Sequence, residues 1–462
     1  MDYFKIDQVH SFKQGNLNIV LDINSGSVHV VDDATFTVLK ALEESNGYWQ
    51  PAAEKIEPLL GKETVEEIKE ELLELAKEEL LFTVDDGKLP ARREKPIIKS
   101  LCLHVAHDCN LRCKYCFASS GSFGGQKLLM DLETGKKALD FLLEHSGNRK
   151  VCEVDFFGGE PLMNFGVMKD LVAYGRKASA KAGKVINFTL TTNGMLLTEE
   201  VEEFLNRENI SVVLSLDGRK EVNDRMRPQA NGRGTYDVIV PAYRRFAASR
   251  NDQDYIVRGT YTHFNTDFAA DVRHMFEQGF THLSVEPVVA PEEEPYALTA
   301  RDLEAVYKEY DRLSEWYLDE FRQGREVDFF HFNVDLDKGP CLPKRLTGCG
   351  AGYEYLAVTP EGDLYPCHQF VGKTEFLLGN VYEGIKKPEI GQKFKEAHIY
   401  NKEKCKTCWA RFLCSGGCHA NAYANNKDIF APYEIGCKIQ QKRLECAIYV
   451  QVAKKLVPDR QN

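Results

Sequence analysis

At 462 residues the chain is long enough for roughly two to four domains, and 43% hydrophobic content supplies ordinary packed cores. The formal charge of −11 belongs to the start of the chain: residues 1–90 hold 19 acidic and 8 basic side chains, and the rest balances at 51 against 51, so no basic excess is available for nucleic acid. A charged N-terminus without a signal-peptide core, and no run of membrane-span length, predict a cytoplasmic protein with no membrane partner, in whose reducing surroundings 14 cysteines read as metal ligands rather than disulfides.

Residues 17–23 and 27–31 flank Asn24-Ser25-Gly26, a hairpin signal. Helical patterns follow at about 33–44, 51–60 and 64–80; in the last, Val65, Ile68, Leu72, Leu75 and Ala76 recur at helical spacing behind Thr64 and Glu67. A short apolar piece, Leu80 to Val84, closes the unit. This order over residues 1–85 predicts a small winged helix-turn-helix. It has no arginine and is strongly acidic, so it lacks the basic face that DNA binding requires.

Residues 86–99, polar and with Pro90 and Pro96, read as a linker. From 100 to about 310 strand patterns (100–105, 151–157, 185–190, 211–216, 255–262, 281–287) alternate with helical ones (131–145, 164–182, 235–250, 267–278). Six βα units predict an α/β fold, a parallel sheet curled into a partial (β/α)6 barrel with its site at the C-terminal strand ends. Residues 311–340 then bridge to a cysteine-rich region, 341–462.

The loop after the first of these strands, Cys109-Asn110-Leu111-Arg112-Cys113-Lys114-Tyr115-Cys116, spaces its thiols C-x3-C-x2-C. Three cysteines cannot give a 4Fe-4S cube four ligands, so one iron stays open to an external ligand. Zinc is the alternative, but zinc sites usually pair C-x2-C knuckles, and this loop has one such pair and an offset third cysteine. Small and polar residues follow the later strands: Gly158-Gly159-Glu160-Pro161, Thr191-Thr192-Asn193-Gly194, Ser215-Leu216-Asp217-Gly218, Arg227-Pro228 and Pro287-Val288. The glycines are expected to let the backbone approach a ligand, and Glu160 to accept from a cation. Cys102, Cys152 and Cys446 read as small core residues.

With this loop and these strand ends the chain resembles the radical S-adenosylmethionine (SAM) enzymes. The resemblance implies that Cys109, Cys113 and Cys116 hold a 4Fe-4S cluster that SAM completes. It places the amino group of SAM at Gly158, Gly159 and Glu160, its carboxylate at Arg227, and its ribose or methionine part at Ser215. Asn193 lies at the rim, and Val288 forms a backbone and apolar wall for adenine opposite Tyr115. An external one-electron reductant would drive cleavage of SAM to methionine and a 5′-deoxyadenosyl radical.

Farther on, Cys349, the stretch Gly362-Asp363-Leu364-Tyr365-Pro366-Cys367, then Cys405-x2-Cys408-x5-Cys414-x3-Cys418 and Cys437 resemble the SPASM domain, which carries two auxiliary 4Fe-4S clusters, three in all. Matched motif by motif, the resemblance gives Cys349, Cys367 and Cys418 to the first auxiliary cluster and Cys405, Cys408, Cys414 and Cys437 to the second. Cys341 is the candidate eighth ligand; without it the first auxiliary cluster has an open iron for a substrate thiolate. Zinc is again the alternative for the finger-like spacings.

Residues 1–85 also resemble the peptide-recognition domain of enzymes that modify ribosomally made peptides, where a leader peptide adds a strand to the hairpin edge. The anaerobic sulfatase-maturing enzymes share the barrel and SPASM features but lack that domain and carry an aspartate where this chain has His368. The stretch from Cys349-Gly350-Ala351-Gly352 through Tyr365-Pro366-Cys367-His368-Gln369-Phe370 resembles the maturases of small six-cysteine (SCIFF) peptides. What that implies is formation of thioethers between cysteine sulfur and carbon in a precursor peptide bound through its leader. The competing readings are another SPASM-type modification, such as side-chain oxidation or a carbon-carbon crosslink, and a zinc-binding regulator without activity.

Overall fold

A computed structural model describes residues 2–89, 97–337 and 342–457, so the candidate ligand Cys341 lies outside the described residues. The N-terminal unit opens with β1 (Val9–Gln14), β2 (Leu17–Asp22) and β3 (Val28–Val31), an antiparallel sheet in the order β1-β2-β3. Three helices follow, α1 (Asp33–Glu44), α2 (Trp49–Leu60) and α3 (Lys62–Lys77). Val20, Val38, Leu42, Ile56, Val65 and Ile68 join in its core. The Asp32 carboxylate caps α1 by accepting from Thr35 N at 2.7 Å, fixing where the strand gives way to helix.

Two expectations are corrected here. Strand β1 was missed because its mixed sequence, Val-His-Ser-Phe-Lys-Gln, gives little alternation, and its polar side chains are spent on contacts distant in sequence. The apolar piece at 80–84 has no regular secondary structure: Leu81 and Phe82 are buried, with Phe82 at φ 59°.

Strand β1 is docked on the C-terminal part of the chain. His10 stacks on Trp409 with ring centroids 3.9 Å apart and planes 3° from parallel. Its Nε2 lies 2.9 Å from Glu445, on the long helix Glu434–Leu456. Gln14 donates to Asp311 at 2.7 Å and accepts from Lys442 at 2.9 Å. Arg411 donates to Asn24 at 2.5 Å. At the other side of the sheet, β3 pairs only with β2 among the described residues, and its outer edge borders an apolar groove.

The central layer runs β4 (Ser100–Ala106), α4 (Leu132–His145), β5 (Val151–Gly158), α5 (Phe165–Lys181), β6 (Val185–Thr192), α6 (Glu199–Arg207) and β7 (Ser211–Ser215). It continues through α7 (Lys220–Met226), α8 (Tyr236–Ser249), β8 (Tyr255–Tyr261), α9 (Phe268–Glu277), β9 (His282–Pro287) and α10 (Leu303–Arg322). Strands β4 to β9 are parallel neighbours in chain order, matching the six predicted strand patterns. The sheet extends further than expected. A short β10 (Asp328–Phe329) joins β9, and on the other side β11 (Tyr355–Val358) pairs parallel to β4. Then β12 (Asp363–Tyr365), β13 (Gly379–Asn380) and β14 (Gly384–Ile385) continue it antiparallel, so the cysteine-rich region grows out of the barrel sheet itself.

Alternation sorts the strands. In β5 and β6, Val154, Phe156, Ile186, Phe188 and Leu190 pack into the helix-covered core, while Asp155, Phe157, Thr189 and Thr191 face the opposite, accessible side. That side is the lumen onto which the cysteine loop opens. No described helix is long and apolar enough to cross a membrane.

Candidate functional site

The cysteine loop leaves β4 and is pinned from several directions. Arg112 N donates to Pro228 O at 2.8 Å and Lys114 N to Met226 O at 2.9 Å, tying the loop to the segment after α7. The Arg112 guanidinium donates to the carbonyls of Cys109 and Leu111, both at 2.7 Å. Leu111 N donates to Cys109 Sγ at 3.4 Å, a bond that stabilises thiolate charge. Asn193, at the end of β6, donates to Asn110 Oδ1 at 2.7 Å, with Cys109 Sγ 3.7 Å away.

The glycines have another use than the one expected. A Cβ on Gly158 would lie 2.1 Å from Ala106 O, and one on Gly159 would lie 2.1 Å from Asp108 O. Gly159 N and Glu160 N donate to those same two carbonyls at 2.8 and 2.9 Å. The pair therefore seats the cysteine loop on the end of β5. Glu160 is fully buried and accepts from Thr192 Oγ1 (2.8 Å), Asn193 N (2.8 Å) and Leu162 N (3.1 Å), clamping the ends of β5 and β6. Burial raises its pKa against those bonds.

Tyr115 reaches Asp217, donating to its carboxylate at 2.7 Å, and accepts from Arg227 Nη1 at 3.0 Å. Asp217 also accepts from Thr260 N at 3.0 Å. This buried line of cation, hydroxyl and carboxylate ties α7, β7 and β8 to the loop. Arg227 Nε is buried with no hydrogen-bond partner. Ser215, at the tip of β7, is half-buried, and its carbonyl accepts from Tyr243 at 3.1 Å. Val288 is buried, and its N–H is already given to Tyr261 O at 2.8 Å, which leaves the carbonyl and side chain as the wall.

The described thiols are all free; ten of the thirteen make up the three predicted sets, and Cys102, Cys152 and Cys446 are buried outside them. Burial pushes Cys109 up to about 12 and Cys113 to about 11, with Cys116 adding to both. Burial raises Cys367, and Cys418 and Cys349 raise it further. Burial pushes Cys437 up to about 12, followed by Cys414, Cys405 and Cys408. Of the ten, Cys367 and Cys405 are buried and Cys349 and Cys418 exposed; neighbouring thiols whose ionisation is opposed need a cationic centre to become thiolates, and a 4Fe-4S cluster would supply one. The sets of three, three and four suit that centre, and the orphaned Arg227 nitrogen beside Cys113 suits a carboxylate on the cluster's open side. Among the described residues no three His, Cys, Asp or Glu are arranged to hold a single metal ion.

Several site features carried no sequence assignment. His368 accepts or donates at 3.1 Å to Tyr355 Oη and sits against the rings of Phe157 and Phe117. Arg258 on β8 is 54% exposed in the lumen. Glu286 on β9 accepts from Arg443 at 3.1 Å, with His331 at 3.3 Å and Arg258 at 3.6 Å, and these neighbours hold it at about 2 against the effect of burial. Asp155 keeps only hydroxyl donors, Thr189 at 2.8 Å and Thr191, and burial pushes it up to about 6. Asp217 and His368 stood inside quoted motifs, His368 as the departure from the sulfatase-type aspartate; Arg258, Glu286 and Asp155 sit in ordinary strand sequence with nothing to mark them.

The family described as 4Fe-4S single cluster domain matches residues 100–240, and the SPASM family, an iron-sulfur cluster-binding domain, matches 349–409. The cysteine-type anaerobic sulfatase-maturating enzyme of Clostridium novyi is 26% identical over 357 residues, covering 71% of this chain and 90% of that protein. The radical SAM cyclopropyl synthase TigE of Paramaledivibacter caminithermalis is 24% identical over 355 residues, 70% of this chain and 68% of that protein. Among solved structures, native anSMEcpe with bound AdoMet aligns with a TM-score of 0.65 at 22% identity, covering 78% of this chain and all of that one. SuiB of Streptococcus suis bound to S-adenosylmethionine aligns with a TM-score of 0.54 at 17% identity, covering 93% of this chain and 98% of that one.

Proposed function

We propose that this chain, which has the α/β radical SAM fold with a SPASM domain and the 4Fe-4S and SAM cofactors that fold carries, is a maturase that forms thioether bridges in a ribosomally made, cysteine-rich precursor peptide. The anaerobic sulfatase-maturating enzymes and TigE among its relatives support modification of a peptide or protein. The thioether is the finer reading. The observation that carries the peptide substrate is the N-terminal unit, read as a winged helix-turn-helix peptide-recognition domain. Among the described residues its β3 edge is unpaired, beside a groove of about 210 Å³ lined by Val20, Val30, Leu39, Leu72 and Leu75. A leader peptide docks there as a fourth strand, its backbone completing the ladder and its apolar side chains entering the groove. Because the N-terminal sheet is fastened to the SPASM region by His10 and Gln14 on β1 and by Asn24 in the β2–β3 turn, the docked leader has a fixed direction relative to the lumen. Fixing one end raises the effective concentration of the core peptide at the lumen mouth.

When bound and reduced by an external one-electron donor in the cytoplasm, the cluster and SAM would supply radical chemistry that removes one hydrogen atom from the peptide; closing the C–S bond would then release the thiol proton to solvent and one electron to the auxiliary clusters. The chain supplies aim. Arg227 would hold the methionine carboxylate with its unpartnered Nε, while Tyr115 and Asp217 fix the guanidinium. Asn193 steadies the Cys109-Asn110 turn. His368, locked against Tyr355 and two phenylalanines, stands where the sulfatase maturases have an aspartate, which favours a thiolate over water as the group that closes the new bond. Cys367, the neighbour of His368 in the chain, belongs with Cys349 and Cys418 to the set that we assign to the first auxiliary cluster.

The test is direct. Anaerobic enzyme, reductant and SAM with a leader-bearing precursor should yield a peptide lighter by two hydrogens per bridge, one cysteine per bridge resisting alkylation after full reduction. A mass loss with every cysteine still alkylated would move the bond elsewhere and favour a side-chain oxidation or carbon-carbon crosslink.

A further inference from the structure

Lys402 is a buried cation in the seam between the two groups of SPASM thiols. Its relative exposure is 0%, and its ammonium donates to Gly416 O at 2.7 Å. Gly416 lies in the loop Cys414-Ser415-Gly416-Gly417-Cys418, whose two cysteines belong to different groups. At the other end of the residue, Lys402 O accepts from Cys405 N at 2.9 Å. Burial lowers the Lys402 pKa, and Cys405, Cys414 and Cys437 of the second set and Cys418 of the first oppose that by favouring its charged form. No carboxylate is within ion-pair distance of it among the described residues. A buried ammonium without a carboxylate is costly, and one facing two anionic centres is compensated by both.

Resting on the reading of two auxiliary clusters, we infer that Lys402 is a positioning residue that raises the reduction potentials of both of them together. Adding an electron makes a cluster more negative, and a fixed positive charge in a low-dielectric seam favours that more negative state. Both clusters then stand as better acceptors for an electron arriving from the lumen, and neither is isolated from the other by a potential step. A lysine suits this place because its charge sits at one atom that Gly416 O can hold.

The experiment compares reconstituted full-length protein carrying Lys402, Lys402→Met, Lys402→Gln or Lys402→Arg. Each is titrated with reductant, without substrate, and followed by electron paramagnetic resonance, with iron content measured alongside. A parallel series carries Cys113→Ala to remove the overlapping third signal. Both auxiliary midpoints should fall in Lys402→Met and Lys402→Gln by at least tenfold in the reduced-to-oxidised ratio at a fixed potential, about 59 mV for one electron. Lys402→Arg should restore most of the loss. If Lys402→Met fails to hold iron, Lys402→Gln, which can still donate to Gly416 O, decides. Unchanged midpoints at full iron content, or a shift confined to one cluster, would overturn the inference. The titration contains no peptide, so absence of a thioether product would sink the functional proposal without touching this result.

Discussion

Replacing Glu286 by Gln should loosen the join between barrel and C-terminal helix. The carboxylate faces Arg443 at 3.1 Å, His331 at 3.3 Å and Arg258 at 3.6 Å, and its side chain is 29% exposed. Holding it at about 2 instead of 4.5 corresponds to roughly 3 kcal/mol, which partial exposure reduces to about 2 kcal/mol. Gln keeps the shape and loses the charge, leaving Arg443 in the seam without its counter-ion. A 462-residue chain unfolds with an entropy of roughly 1 kcal/mol per kelvin, so the melting point should drop by about 2 °C at pH 7. Because the folded pKa is depressed, the contribution is complete above about pH 4.5 and lost as the pH falls toward 2. The gap between wild type and variant should therefore close over that window. Differential scanning calorimetry of apo and reconstituted protein measures it. The double variant with Arg443→Met should recover most of the loss, since both charges are gone. A melting point within half a degree of wild type in Glu286→Gln, or a double variant worse than the single, would refute the reasoning.

Cys113→Ala should lower bound iron by about one cluster in three and abolish 5′-deoxyadenosine formation while the auxiliary signals persist; wild-type product rates would discard the assignment of the open cluster. Asp155→Asn should melt higher than wild type at pH 7 to 8, by about 1 kcal/mol after allowing for screening in the lumen. The folded state holds that proton up to about pH 6, so stability falls as pH rises to that point, and the advantage of the variant should vanish below about pH 4. Val30→Asp, on the 43% exposed edge position of β3, should weaken leader-peptide binding by about tenfold or more in fluorescence anisotropy. Unchanged affinity would place the leader elsewhere.

The six barrel strands were legible because a buried parallel sheet writes itself as apolar runs spaced by helical periods, and β4 to β9 fall on them. Strand β1 was not, since its side chains answer to Trp409, Asp311 and Glu445, hundreds of residues away. The cysteine order suggested which distant motifs share a centre, a grouping that came from the resemblance and not from the spacing alone. Gly158 and Gly159 show a second demand that motif reading does not reveal: the carbonyls of Ala106 and Asp108 lie where a Cβ would be, so the loop seat itself needs glycine there. Lys402, Arg443 and Asp155 carry no spacing signal at all. A single charged residue in a helix or loop looks like solvent-facing sequence until the chain folds around it.

The helix Glu434–Leu456 has a consequence for how the protein is made. It carries Cys437, gives Arg443 to the barrel wall, offers Gln441 to Cys408 Sγ at 3.4 Å, and meets β1 through Lys442 and Glu445. Every other described element precedes it in the chain, so during translation the barrel, the SPASM thiols and the N-terminal sheet all leave the ribosome before this common partner exists. Iron delivered to the second set during that interval would find three of its four thiols. Loading of that centre and docking of the N-terminal unit thus fall together, after synthesis of this helix, and a cell short of iron-sulfur carriers would accumulate chains with an open seam around His10 and Trp409 for chaperones to hold or proteases to cut.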